Sequence, residues 1–435
     1  MADTHNGKRT LLALTVGGSP RPVAYSIRMN RPDRVLFLAS EDSASSVDQA
    51  NERDLSILDL VKEFGHPLTT DQYRTALVPH QELVPCAVRM REELRRELED
   101  LDAGWNTLLD LTGGTKIMSA ALVLAGEQFD ARYCYVGAAS VEGSRDKGGL
   151  GVTLDGKERH LIFQNPHDAT GLGTLDDAMV LFRSGAWASG ARLLRDRHGR
   201  MTDPRHKRQL DTWAHLGEGY AAWDRFLYGE AAKHLRLTEQ RPEDLRVLLP
   251  GPDIPKIQEK LGSDAALLEK LEVTGDDFRP MIDDLLANAL RRAGEGDYDE
   301  AAIRLYRAAE LCANRKLAQE HQIDARAVQV QDLPAEYFEK TGLHPPRDGV
   351  LQLGGMQRAY QLLEVLGDPL GERFAKLGLE ATTGEESILG LRNQSILIHG
   401  HLRLTSRQWK QLKYKILNLL EVEETKLVRF PFLET

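Results

Sequence analysis

Leu11–Val16 is an apolar run, with Thr15 its one polar member, that stops at Gly17-Gly18-Ser19-Pro20. An apolar run of six residues is too short for a buried helix and suits a strand covered on both faces. The same punctuation recurs along the first 165 residues. Arg34–Ala39, Tyr73–Val78, Asn106–Leu111 and Arg132–Val136 read as further strands. Helices are predicted between them, from about Pro22 to Met29, over Glu82–Leu101 and over Lys116–Gln128. Strands that alternate with helices at this spacing form parallel βαβ units, so the fold class expected here is an α/β doubly wound, Rossmann-like sheet. Gly148–Phe163 reads as a terminal hairpin turning at Asp155-Gly156.

Beyond Pro166 the strand signals vanish and apolar residues recur at helical spacing. Leu175–Arg195, Lys207–Leu235, Ala265–Leu271, Asp297–Ala318, Gly354–Leu366 and Glu385–Leu420 are expected as helices, with Gly251, Pro252 and Pro255 as breaks. The organisation expected is 1–165 as an α/β domain, 166–279 as a helical connector and 280–435 as an all-α domain. Leu181–Trp187 and Arg292–Tyr298 share a faint pattern, read as common helix-start chemistry because two distant copies make no solenoid.

The helical half carries a local charge imbalance. The whole chain has 66 acidic and 56 basic residues, a net charge of −10, which argues against a general nucleic-acid coat. Yet Ser387–Leu420 contains no Asp or Glu, where proportion would place roughly five. It carries Arg392, Arg403, Arg407, Lys410, Lys413 and Lys415, a basic patch suited to a phosphate backbone. Arg403, Arg407 and Lys410 are the candidate RNA contacts. Trp409 and Tyr414 are available either to stack on bases or to fill a core.

Two constellations carry chemistry. The first is the pair of turns Thr15-Val16-Gly17-Gly18-Ser19 and Thr112-Gly113-Gly114-Thr115-Lys116. They follow the first and fourth strands, which flank the point where strand order reverses and ligands bind. Glycines permit close approach, hydroxyls donate, helix starts favour anions, and Lys116 adds a positive charge. A phosphate-bearing ligand fits such a pair, although tight βα turns alone also use glycine. Neither GxxxxGK[ST] nor GxGxxG occurs at these turns, so ATP hydrolysis and hydride transfer lack their usual loops.

The second constellation is Arg392-Asn393 with His399. Seven helical steps of ~100° return to one face, two turns apart. Arginine holds a phosphate by a forked pair of donors, and histidine exchanges protons near neutral pH. Together they meet the needs of RNA cleavage by its own 2′-hydroxyl without a metal. A half-buried histidine beside a surface arginine is the structural alternative. His399-Gly400-His401 lacks the companions of a metal site, and His198 and His206 read as part of a solvated basic loop. Cys86, Cys134 and Cys312 form no CxxC, no run approaches membrane-span length, and the start lacks a secretory core. A reducing cytoplasm of bacterial type is the expected compartment.

These residues together resemble the CRISPR-associated CARF–HEPN ribonucleases that accompany type III interference complexes. Thr15–Ser19 and Asp110–Lys116 resemble the two ligand loops of the CARF domain. Arg392-Asn393, then His399, is similar to the HEPN motif, and Tyr298–Ala308 is similar to an early HEPN helix. The resemblance implies a CARF domain that binds cyclic tetra- or hexa-adenylate through Thr15, Gly17, Gly18, Ser19, Thr112, Gly113, Gly114, Thr115 and Lys116. It implies a HEPN domain that cuts single-stranded RNA with Arg392, Asn393 and His399. It also implies a homodimer, with cyclic oligoadenylate as allosteric activator and no metal or other cofactor. The competing reading is a nucleotide-signal sensor or scaffold whose helical half is not catalytic.

Overall fold

The computed structural model describes residues 8–432 apart from 52–53, 102–103, 139–144, 148–149, 154–156, 200, 274–276 and 380–402. The chain divides into two compact units, Met1–Leu172 with Arg200–His206, and Gly173–Gly199 with Lys207–Thr435.

The first unit is a sheet between two helical layers. Its strands are β1 (Thr10–Val16), β2 (Arg34–Ala39), β3 (Tyr73–Leu77), β4 (Asn106–Asp110), β5 (Ala131–Ala138), β6 (Arg145–Lys147), β7 (Leu150–Thr153) and β8 (Glu158–Phe163). The main sheet runs β3-β2-β1-β4-β5-β8, parallel except for β8. Its helices are α1 (Pro20–Asn30), α2 (Ile57–Glu63), α3 (Leu83–Glu99) and α4 (Lys116–Gly126). Alternation along β1 serves both layers. Leu12, Leu14 and Val16 pack with Val23 and Ile27 of α1 and Leu60 of α2. Leu11 and Ala13 face Met90 of α3 and Leu122 of α4. Every β1 residue is buried, which is why the run reads as continuous apolar sequence.

One sequence expectation for this unit fails. Residues 150–153 and 158–163 do not pair with each other. β7 pairs with β6 as a separate ribbon, and β8 joins the main sheet against β5, Tyr133 opposite Phe163. The expected turn at Asp155-Gly156 lies outside the described residues.

The second unit is helical. It contains α6 (Leu172–Arg183), which follows the short α5 (Pro166–Thr170), then α7 (Trp187–His198) and α8 (Pro204–Trp223). Next come α9 (Tyr228–Glu239), α10 (Pro242–Leu245), α11 (Ile254–Glu272), α12 (Arg279–Gly294) and α13 (Tyr298–Glu320). The expected helices Leu175–Arg195 and Lys207–Leu235 are each split by a tight turn. The turns share one Schellman geometry. Ala186 N donates to Leu181 O (2.8 Å), Leu227 N to Ala222 O (3.0 Å) and Asp297 N to Arg292 O (2.9 Å). The left-handed residue in each is Gly185, Phe226 and Gly296. Each turn launches a helix with an aromatic residue, Trp187, Tyr228 or Tyr298. The faint repeat in the sequence is thus a shared turn, and Phe226 hides its third copy.

A second core joins α12, α13, α14 (Ala335–Thr341), α15 (Met356–Val365), α16 (Pro369–Lys376) and the helix Ser406–Leu420. That last helix is not part of one run from Glu385. It starts afresh, because Thr405 accepts from Gln408 N and Gln408 Oε1 accepts from Thr405 N, a full capping box. Among the described residues no helix is long and apolar enough to cross a membrane.

The chain returns to the α7–α8 aromatic cluster near its end. The Phe430 ring lies 4.6 Å from Tyr220, 5.0 Å from Trp223 and 5.9 Å from Trp187, with the Arg291 guanidinium 3.8 Å over its face. Removing it leaves a cavity and an arginine without its aromatic partner. Phe430→Ala is expected to destabilise this unit by about 3–5 kcal/mol, read as a lower urea midpoint by tryptophan fluorescence.

Candidate functional site

The carboxyl ends of β1 and β4 lie side by side, Leu14 opposite Asp110. Their loops then approach backbone to backbone. A Cβ on Gly113 would fall 2.0 Å from Thr15 O, and one on Gly17 would fall 2.6 Å from Gly114 N. Gly114 has φ +73, a left-handed conformation that favours glycine. Thr15 is fully buried, and its hydroxyl donates to Gly113 O at 2.6 Å. The Thr112 hydroxyl accepts from Val136 N at 2.8 Å. Thr15, Gly17, Thr112 and Gly113 therefore build the junction itself.

The outer face of the junction differs. A Cβ on Gly18 would meet nothing within 4 Å. Gly18, Ser19, Thr115 and Lys116 are exposed. Ser19 precedes α1 without making a capping bond, and Thr115 caps α4 by accepting from Met118 N (3.1 Å). Two helix N-termini and one lysine thus border this crevice, an arrangement favourable to anions. Neighbouring strand ends close the surround. Ser43, in the loop after β2, donates to Val16 O (3.0 Å), and His80, after β3, accepts from Thr115 Oγ1 through its carbonyl (3.1 Å).

Beneath the junction lies a buried polar floor that sequence reasoning missed. Asp110 accepts from Ser26 Oγ, from Thr112 N (2.5 Å) and from Cys134 Sγ (3.4 Å). Burial pushes its carboxyl above the ordinary range, against these bonds. Asn30 Nδ2 lies 3.1 Å from His160 Nε2, and burial lowers that imidazole's pKa. The floor fixes the start of the β4 loop through Thr112 N.

In the helical half, Arg392, Asn393 and His399 lie outside the described residues, as does His401. Leu379 and Leu404 are both buried in the second core. Leu404 N also donates to the Asp299 carboxylate at 3.3 Å, at the start of α13. Arg403, Arg407 and Lys410 are exposed. Arg407, Lys410 and Tyr414 share one face of the helix Ser406–Leu420, and Tyr414 is 69% exposed. Trp409 is buried with Leu412 and Ile416, so it is a core residue and not a stacking platform. Glu424 comes back onto Lys413 (2.7 Å), so the acid-free stretch is partly neutralised in space.

Residues 270–423 match the family described as the Csm6 HEPN domain, a span that includes positions 392–399. A CRISPR system endoribonuclease Csm6 from Thermus thermophilus is 27% identical over 405 residues, covering 89% of this chain and 79% of that protein. The structure of Enterococcus italicus Csm6 bound to cyclic hexa-2′-fluoro-hexa-dAMP aligns with a TM-score of 0.56 at 13% identity. That alignment covers 96% of both chains and shows a shared fold.

The junction's sterics are directly testable. Gly113→Ala is expected to lower the stability of the first unit by about 1–3 kcal/mol, the scale of overpacking. Gly18→Ala, entering open space, should stay within about 0.5 kcal/mol of the parent. Urea unfolding followed by far-ultraviolet circular dichroism measures both.

Proposed function

Since the chain belongs to the CARF–HEPN family of CRISPR-associated ribonucleases, we propose that it is an endoribonuclease of type III CRISPR defence, switched on by a cyclic oligoadenylate. The observation that carries this reading is one chain with two features. The β1 and β4 loops meet at an anion-favouring crevice, and the HEPN match spans the Arg392–His399 motif. In this proposal the CARF domain is 1–165, the connector 166–279 and the HEPN domain 280–435.

Cyclic tetra- or hexa-adenylate is the activator. Gly18, Ser19, Thr115 and Lys116 face its phosphates, while Thr15, Gly17, Thr112, Gly113 and Gly114 shape the surface it meets. A ring of repeating adenylates suits a two-fold pocket, so the active form is a homodimer in the cytoplasm. The ligand must bind the active arrangement more tightly than the resting one for any activation to follow.

Single-stranded RNA is the substrate. Arg403, Arg407 and Lys410 hold its backbone by charge. Arg392 holds the scissile phosphate and the negative charge that grows on it. The 2′-oxygen attacks phosphorus as a base takes the 2′-hydroxyl proton, and the bond to the 5′-oxygen breaks as that oxygen receives a proton from an acid. His399 moves one of those protons, and Asn393 orients the pair. The reaction needs no metal, and one product ends in a 2′,3′-cyclic phosphate.

His399→Ala is expected to lose ~10²-fold or more in cleavage rate, the usual share of acid–base catalysis. His401→Ala should lose far less. Activity should persist in EDTA. A His399→Ala protein that cuts at the parental rate would remove His399 from the chemistry, and a parent chain that cuts no RNA with either ring would leave the non-catalytic sensor as the reading. At the other end, Lys116→Ala should weaken binding of the activator by about 1–3 kcal/mol in calorimetry, the scale of a charge-assisted hydrogen bond.

A further inference from the structure

The α8–α9 hairpin holds a cluster that the nuclease reading leaves unused. His215 and Glu218 stand three residues apart on α8, on one face of the helix. His234 faces them from α9. His215 Nδ1 and His234 Nδ1 are 2.9 Å apart, and Glu218 Oε2 is 3.2 Å from the first and 3.3 Å from the second. These three atoms form a compact triangle of lone-pair donors. Ligands held ~2.0–2.1 Å from zinc at tetrahedral angles stand about 3.3–3.4 Å from one another. The triangle is within a few tenths of an ångström of that spacing.

The backbone builds this convergence. The turn at 222–227 reverses the chain. Gly219 then lets the helices approach, because a Cβ there would fall 2.6 Å from Leu235 Cδ2 and 3.3 Å from His234 Cβ. Asp211 Oδ1 lies 3.6 Å from His215 Nε2, on the side where a ligating imidazole commonly meets an orienting carboxylate. A cavity of about 880 Å³, lined by Glu218, His234 and Arg195, opens a path to the triangle.

A cationic nitrogen already sits at the mouth of the triangle. Arg195 Nη2 is 2.7 Å from Glu218 Oε2 and 3.1 Å from His215 Nδ1. A divalent ion entering from the cavity would take the place of Nη2, while Arg195 keeps its contact with Asp211 through Nη1.

We propose that His215, Glu218 and His234 bind a zinc-class divalent cation, with a water from the cavity as fourth ligand. The ion clamps α8 to α9 and takes no part in RNA cleavage. The test uses the untagged full chain after EDTA treatment and dialysis, titrated with Co²⁺ and then Zn²⁺. The expected result is the intense visible absorption of tetrahedral Co²⁺, displaced by one Zn²⁺ per chain, with a rise in melting temperature. His215→Gln and His234→Gln should each weaken Zn²⁺ binding by ~100-fold or more, beyond the ~10–100-fold of an outer-shell change. Arg195→Gln should keep the site and bind at least as tightly. Absence of saturable Co²⁺ or Zn²⁺ binding by the parent chain would overturn the proposal without any variant. So would unchanged binding in folded His234→Gln protein, which would place the ion elsewhere.

Discussion

No side chain fits where the loop after β1 meets the loop after β4. Gly113 lies against Thr15 O and Gly17 against Gly114 N, at separations that exclude even a methyl group. This contact sets the shape of the crevice at the switch point of the sheet. Its inner face is closed by Thr15 and Thr112, and its floor is pinned by Asp110. Its outer face is left to Gly18, Ser19, Thr115 and Lys116. Lys116 stands exposed at that face as the first residue of α4, directly after the glycine junction. The polar floor adds rigidity, since a buried carboxyl with three donors cannot shift without leaving some of them unsatisfied.

The helical half is organised by different physics. Three Schellman turns of one geometry set the angle between successive helices, and each starts the next helix with a large aromatic residue. Phe430 then fills the space among Trp187, Tyr220 and Trp223 and carries Arg291 on its face. The chain end is thereby tied to helices more than 200 residues earlier in sequence. Leu379 and Leu404, buried in one core, hold the two ends of the stretch that carries the Arg392–His399 motif.

Local signals were readable in the sequence, and distant pairings were not. The apolar runs of β1, β2 and β4 announced a buried parallel sheet because both faces are covered. The strand at 158–163 was recognisable, but its partner is β5, a pairing that no local turn encodes. Gly296 stands before an expected helix start, whereas the helix expected over Leu175–Arg195 runs through Gly185, and Phe226 occupies the same left-handed position without a glycine to reveal it. Thr405-Ser406-Arg407-Gln408 carried a capping box in plain letters, outweighed by the apolar periodicity on either side. Trp409 alternated between two readings until burial decided for the core. At the crevice, the glycines were legible as close-approach residues. Which threonine hydroxyls turn inward was not, because that depends on the neighbouring strand. His215, Glu218 and His234 gave only a His-x-x-Glu spacing, and the hairpin supplies the third member.

In the proposed function a ligand at the β1/β4 crevice controls RNA cleavage by the other end of the chain. The most direct measurement is the rate at which the full chain cuts single-stranded RNA with and without cyclic tetra- or hexa-adenylate. Allosteric control of this kind predicts a rise of ~10-fold or more with one of the two rings, corresponding to about 1.4 kcal/mol of differential affinity. Equal rates with and without either ring would contradict it.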